Sequence, residues 1–477
     1  MEVNPKTKEA YQLLQDGILA LARAERQGVR IDMEGLEVKK AHMLRKIERL
    51  EKKFRETDFF KEWQASTNEE VNPNSLPQLG TFLYDVKKIE PAKLTAGGKE
   101  GLNKKGSTDE EGLKQLNIPT LAYYSEKTRY KKAHDVLSGF ERETVDGVIH
   151  PFYNLHTVRT FRSSSNSPNW QNIPVRDEEI AKICRGIIYP RKGHILLESD
   201  FKSVEVGVST CYNKDPQLIK YVSNSKKNDM HRDMAQQIFM LDKFDGDIKA
   251  HKFLRKATKN GFVFPQFYGD YYKNNAVSLA VEWCGLGKGK WKQHQGIDMV
   301  QGFDPPLAKF NLSDHLAKKG IKSFDAFVEH LKKIEDHFWN KRFPVYKKWK
   351  EDTYNTFLKT GYVDLYTGFR CFGPMSKNDA TNYPVQGAAF HCLLKCFIEI
   401  DRIATKEKWK TKLIGQIHDS MILDVYPLEF NHVVKTIHNV TSVWLPKQFP
   451  WIIVPISVEM EATGIDQPWS SKKEIEI

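Results

Sequence analysis

Two hydrophobic periods divide this chain. Leu13, Leu14, Ile18, Leu21 and Ala22 follow a helical period that stops at Gly28, before the strand-like run Val29-Arg30-Ile31-Asp32. Leu36, Met43, Ile47, Leu50 and Phe54 recur at spacings of three, four and seven with Lys, Arg and Glu between them, which predicts a long amphipathic helix paired with another. A second such helix is predicted from about 121 to 139, carrying Lys127, Arg129, Lys131 and Lys132. Between the two, residues 66–110 are loop-rich, with Asn72-Pro73-Asn74, Pro91 and Gly97-Gly98, and Ser107-Thr108-Asp109-Glu110-Glu111 reads as a helix start with a capping acid. Helical patterning returns at 216–222, 229–239, 324–357 and 433–444.

Shorter apolar runs predict strands. Ile195-Leu196-Leu197 leads to Asp200; Ser203 then stands where it would cap a helix starting near Val204, with Glu205 in its first turn. In 413–425, apolar runs flank His418-Asp419-Ser420 on both sides, predicting a β-hairpin with Asp419 at its tight turn. Residues 361–368 predict another hairpin, 452–460 a last strand, and 382–400 a buried helix starting near Val385. The stretch 156–176 holds three arginines, four serines and three asparagines, and is too rich in turn formers for regular structure.

A chain of 477 residues exceeds one core, so several subdomains are expected. The net charge of +12 points to a polyanionic partner, against the bland alternative of a diffuse basic surface. With 10 Trp, 18 Tyr and 27 Phe, the chain has stacking surfaces to spare beyond its core. The six cysteines are scattered and read as reduced thiols in a cytoplasmic setting. Cys392 and Cys396, with His391 beside them, fit a packed helix face better than a metal site. There is no apolar run long enough to span a bilayer and no signal-peptide core in the opening residues, so no membrane partner is expected.

These totals sharpen the chemistry. Aspartates at two strand ends, Asp200 and Asp419, suit a pair of Mg²⁺ ions. Arg255 and Lys259 share a helix face without obvious acids nearby, and His231 and Arg232 stand near a helix start; together they suit a polyphosphate. The aromatic block of Phe262, Phe264, Phe267, Tyr268, Tyr271 and Tyr272 is read as a base platform rather than core. CGLGKGKWK at 284–292 has the wrong spacing for a phosphate loop, with Trp291 where Ser or Thr is needed, and is read as a flexible basic insertion. Phosphoryl transfer needs chiefly positioning and charge stabilisation, and this inventory supplies both.

The chain resembles the family A DNA polymerases, the class of bacterial repair polymerases and many phage replicases. RTFRSSSNSPNWQNIP, DFKSVEV, DMHRDMA, the RKATK…FYG block, and NYPVQGAA followed by QIHDS match in order, over about residues 17–469. The resemblance implies a mixed α+β right hand with an antiparallel palm sheet, helical fingers and a helical thumb. It divides the chain into a lead-in at 1–33, a thumb at 34–138, palm at 139–215, fingers at 216–360 with an insertion near 276–322, and palm again at 361–477. It implies catalysis and metal binding by Asp200 and Asp419, with Phe201 as a further metal ligand. It makes Glu205 the acid that excludes a ribose 2′-hydroxyl, and His231, Arg255, Lys259, Phe264 and Tyr268 nucleotide contacts. Arg162, Asn172, Gln386 and His418 would contact DNA; Lys131 and Lys132, by their own charge pattern, either track its phosphates or form a solvated basic face. The implied partners are primer–template DNA and dNTPs, with a separate exonuclease or processivity factor.

Four departures qualify the resemblance. Ser420 stands where bacterial members usually carry Glu. The step from Lys259 to Tyr268 is one residue longer than usual, so a distorted helix is expected between Asn260 and Gln266; it would put Phe264, not its rival Val263, at the nucleotide's sugar. Residues 276–322 exceed what simple family fingers require. Finally, no D-x-E motif appears in the first 30 residues and no exonuclease domain precedes the thumb, so a fragment, or proofreading on another chain, is expected. The rival readings are a single-subunit RNA polymerase, opposed by Glu205 and SPNWQNIP, and a non-catalytic nucleic-acid-binding subunit, opposed by the paired acids.

Overall fold

The computed structural model describes residues 4–91, 93–95, 106–116, 118–175, 177–224, 227–299 and 310–476. Gly97, Gly98, Arg176 and residues 300–309 of the predicted insertion lie outside the described residues.

A five-stranded antiparallel sheet positions everything else. Its spatial order is Lys412–Ile417, Ser420–Val425, Ile195–Phe201, Val458–Ala462, Lys473–Glu474. The first two strands form the predicted hairpin, closed by the two-residue turn His418-Asp419, with Ile417 opposite Ser420. Ile195–Phe201 is central because Leu196 and Leu197 are buried and neighbouring strands flank it on both edges. The strand expected over 452–460 begins at Val458, since Pro455 lacks the N–H that a ladder needs; Val458–Ala462 pairs along the central strand, and the short Lys473–Glu474 follows it.

The long helix Lys377–Lys406 packs into the same core through Phe390, Leu393, Leu394, Phe397 and Ile400. It starts eight residues before the expected Val385, because Ser376 and Asp379 form a reciprocal capping box that nucleates it upstream of Pro384. The N-terminal helix Lys8–Gln27 ends at Gly28 as predicted and packs on this helix and on the sheet. Within 156–176, Ser164–Asn166 does form a short strand, paired with Phe152–Asn154, so that stretch is more regular than its composition suggested.

Met33–Arg55 pairs with Thr120–Glu143, as the periodicity required, and their Leu36, Met43, Leu50, Tyr130 and Leu137 join the sheet's core. Two further cores stand apart, the first a small aromatic cluster of Phe54, Phe60, Trp63, Phe82 and Tyr124 at the far end of this pair. The supposed loop region before it contains the short helix Leu76–Gly80, begun by the Ser75 cap, and a π-turn over Thr81–Val86. The other core gathers Met230–Ile238, Lys249–Thr258, Phe324–His337 and the start of Pro344–Thr360. The described part of the insertion is folded onto it: Leu286 is buried, Trp291 packs against the core, and Lys290 bridges to Ser323. Its apolar residues override the flexibility expected from its glycines. No helix of the described residues is long and apolar enough to cross a membrane. All six cysteines are free and buried, and His391 bonds Thr367 Oγ1 at 2.7 Å in the core.

Candidate active site

Register brings the two aspartates together. Asp200 lies directly opposite Ser420, the residue after Asp419, and the Phe201 amide donates to the Asp419 carbonyl at 3.0 Å. The turn is thereby bonded to the strand end that carries Asp200. His418 sits in the turn at φ +48°, which tightens it into a two-residue loop. Asp200 is exposed at its strand end, yet its carboxyl is pushed up to about 7, first by desolvation and then by the charges of Asp419, Glu198 and Glu459. Asp419 is also raised by desolvation, with Arg162 and His418 opposing. A desolvated carboxyl whose charge is further opposed by neighbouring carboxylates is a donor suited to cations. Among the described residues, no group of three or more His, Cys, Asp or Glu is arranged to hold an ion. The Phe201 ring is core, which leaves only its backbone carbonyl as a donor.

Ser420 is no substitute acid: it is buried and its Oγ donates to the Ile417 carbonyl at 3.0 Å. The carboxylate facing Asp200 from the other side is Glu459, ion-paired to Lys202 at 2.5 Å. Sequence reasoning missed it, although the alternation Val458-Glu459-Met460-Glu461 carried the signal. Gln416 was missed as well. Its Oε1 accepts from Ser163 Oγ and Gln171 Nε2, both at 2.6 Å, and its Nε2 donates to the His418 carbonyl at 2.5 Å. This buried network fastens the serine- and asparagine-rich stretch to the hairpin turn.

Beside Asp419 opens a cavity of about 240 Å³, lined by Glu205, Phe264, Phe267, Tyr268, Tyr346 and Asn382 among others. Glu205 lies in the first turn of the helix Val204–Asn213. Ser203 precedes that helix, but at φ +51° its side chain makes no capping bond, a correction to the expected cap. Glu205 is instead held by Arg162 and by the Tyr268 hydroxyl, both in short contact with its carboxylate. Arg162 also donates to the Gln386 carbonyl at 3.4 Å.

One wall of the cavity is a helix with a register shift. Lys249–Thr258 widens into a π-turn over Lys259–Val263 and resumes as Phe264–Tyr268. The extra residue is absorbed there, so Val263 is buried in the core and Phe264 turns toward Lys259 and His231, with Lys259 Nζ 5.2 Å from its ring centre. The aromatic block therefore divides: Phe262 and Phe267 are core, whereas Tyr268 and Tyr271 are exposed. The platform reading does not hold for the block as a whole, because the helix turns its successive rings to different faces, and only some of those faces meet solvent.

The cation cluster needs two corrections. Arg255 is not free of acids: its Nε donates to Asp229 at 2.6 Å. His231 is not a charge, since burial, with Arg255 and Lys259 adding to it, holds its imidazole down to about 4. Its buried Nδ1 has no hydrogen-bond partner among the described residues. Lys131 and Lys132 are exposed on Thr120–Glu143. Asn172 lines a separate groove between that helix and 165–169.

The sequence model of DNA polymerase family A matches residues 39–282 and 318–469. DNA polymerase I of Lactococcus lactis subsp. lactis is 27% identical over 416 residues, covering 83% of this chain and 39% of that protein. DNA polymerase I of Aquifex aeolicus is 26% identical, covering 85% and 58%, and the DNA polymerase of Bacillus phage SP01 is 23% identical, covering 97% and 51%. This chain thus spans between two fifths and three fifths of the length of these relatives. Among solved structures, the POL domain of Pol1 from M. smegmatis, in complex with DNA primer-template and dNTP, superposes with a TM-score of 0.70 at 19% identity, over 96% of this chain and 70% of that one. The mixed α+β fold is therefore shared with a polymerase domain.

Proposed function

The chain belongs to DNA polymerase family A, and on that premise we propose that it is a template-directed DNA polymerase, which joins a deoxynucleotide to a primer 3′-hydroxyl and releases pyrophosphate. The observation that carries this reading is the junction of Asp200 and Asp419 beside a cavity lined by Glu205, Phe264 and Tyr268. Asp200, Asp419 and the Phe201 carbonyl would hold two Mg²⁺ ions. When bound, such ions stabilise charge on the attacking and leaving oxygens of an in-line displacement at phosphorus.

The remaining roles fall to the chain's own groups. Arg255 and Lys259 meet the triphosphate charge, with neutral His231 beside them. Phe264 lies under the sugar. Glu205, fixed by Arg162 and Tyr268, fills the space that a ribose 2′-hydroxyl would need. Tyr268 stacks near the templating base. Arg162, Gln386, Asn172, His418, Lys131 and Lys132 line the path of the primer–template duplex. In this reading 34–138 is the thumb, 216–360 the fingers, and 139–215 with 361–477 the palm.

The test is primer extension by the purified chain with Mg²⁺, comparing wild type with Asp200→Asn, and dNTPs with rNTPs. Extension with dNTPs that the variant loses is the expected result. Efficient unprimed RNA synthesis, or full activity in the variant, defeats the proposal.

A further inference from the structure

Lys350 is a buried cation that the proposed chemistry does not use. It lies on Pro344–Thr360 with only 9% of its surface exposed. Its stem and ammonium lie against Trp339 and Tyr346, with Nζ 4.8 Å and 5.6 Å from the ring centres. Among the described residues no carboxylate forms an ion pair with it. Burying an ammonium is costly, and an apolar side chain of similar size would fill this space without that cost. The group must therefore find compensation elsewhere.

It finds that compensation at the carbonyl end of Phe264–Tyr268. Lys350 Nζ donates to the Phe267 carbonyl at 3.0 Å and lies 3.5 Å from the Gln266 carbonyl. The last carbonyls of a helix lack intrahelical partners and carry the negative end of its dipole. The others at this end have partners of their own. Gly269, at φ +94°, donates to the Gln266 carbonyl, and Asp270 to the Pro265 carbonyl. Asn382 and Asn378 reach the Tyr268 and Gly269 carbonyls, each at 3.4 Å. The Phe267 carbonyl is left to Lys350, one residue before Tyr268.

The start of the Lys350 helix is itself fixed from below. Asp215 accepts from the amides of Val345 and Tyr346 at 3.1 Å, and Ser209 donates to the Tyr346 hydroxyl at 2.9 Å. Lys350 lies one turn beyond Tyr346, on the same side of the helix. A continuous path thus runs from Val204–Asn213, which carries Glu205, through Ser209, Tyr346 and Lys350 to the end of the helix that carries Tyr268.

Building on the polymerase reading, we propose that Lys350 is a positioning residue: by binding the Phe267 carbonyl it sets Tyr268 against Glu205, and so governs nucleotide affinity and sugar discrimination. It touches neither substrate nor reacting atoms. Its charge state offers a signature. Burial, with Lys377 beside it, pushes the ammonium down to about 8. The charged groups turned toward it are Lys377 and, through Gln266, Glu335, with Asp270 beyond. The unfolded chain keeps this proton to about 10.4, so folding stability due to this group rises as pH climbs from about 8 to that value. Over the same climb the ammonium becomes a neutral amine, and its charge-assisted bond to the Phe267 carbonyl weakens. Stability and positioning thus move in opposite directions, as they would not for a merely structural residue.

The experiment uses the full chain on a primed template, with Lys350→Met, Lys350→Gln and Lys350→Arg. Lys350→Met should melt at or above the wild-type temperature, yet raise the KM for dNTP about tenfold with kcat within about threefold. It should also admit rNTPs more readily, and amides of 264–270 should exchange about tenfold faster. Lys350→Arg should restore most of each effect, and the wild-type KM should rise as pH passes 8. A folded Lys350→Met with wild-type KM, sugar discrimination and exchange overturns the proposal. Should that variant fail to fold, the Gln and Arg variants and the wild-type pH series decide it by the same criteria. Hydrogen exchange does not require activity, so an inactive wild type that still shows the exchange effect supports the positioning role and counts against the polymerase reading alone.

Discussion

The Phe201 amide and the Asp419 carbonyl meet at 3.0 Å, a bond that extends the strand ladder onto the hairpin turn beside Asp200. With Ser420 paired opposite Asp200, it fixes the backbone of one aspartate relative to that of the other.

Asp419→Asn keeps the size of the side chain and removes its charge. Primer extension should fall about a thousandfold, with DNA affinity within about threefold of wild type. Single-turnover extension and a binding titration on the same template check both halves. Parallel losses of binding and rate would assign Asp419 to DNA contact instead.

Glu205 is gripped from two sides, by Arg162 and by the Tyr268 hydroxyl. Glu205→Ala opens the space against the sugar, and preference for dNTP over rNTP should drop about a hundredfold in kcat/KM. Tyr268→Phe keeps the ring and loses one grip, so its loss of discrimination should be smaller. Equal discrimination in all three proteins would remove Glu205 from the sugar pocket.

Lys131 and Lys132 are exposed on the helix Thr120–Glu143. If both neutralise phosphates, Lys131→Gln with Lys132→Gln should reduce the slope of log affinity against log salt by about 1.8 for duplex DNA. The KM for dNTP should stay as it is. An unchanged slope would return these lysines to an ordinary solvated face.

Burial holds the His391 imidazole down to about 3, and it packs between Phe369 and Phe390 with Thr367 Oγ1 on its Nδ1. The unfolded chain takes up that proton near pH 6.5 while the folded chain refuses it, so stability is present above 6.5 and is lost as pH falls toward 3. From pH 7 to pH 5 this one group should cost about 2 kcal/mol. Chemical denaturation of wild type and His391→Leu at the two pH values tests it: the variant should lose less stability on acidification.

What the sequence determined by itself was local and periodic. The helices of Met33–Arg55 and Thr120–Glu143 and the hairpin around His418-Asp419 follow from apolar spacing and turn chemistry within one segment. The distortion expected between Asn260 and Gln266 came instead from the resemblance, whose usual Lys-to-Tyr spacing this chain exceeds by one residue; the π-turn falls at Lys259–Val263. The order of the matched motifs named the family. Tertiary structure alone decided which groups meet. Arg255 met Asp229, which removed the picture of free cations, and His231 lost its charge because it is buried beside other cations. Glu459 came to face Asp200, and Gln416 to tie the turn to Ser163 and Gln171, through contacts between residues hundreds of positions apart. Such pairings depend on sheet register and on the loss of water around each group. Neither is written in the spacing of residues along one segment, so charge state and partner choice became readable only once the chain was folded.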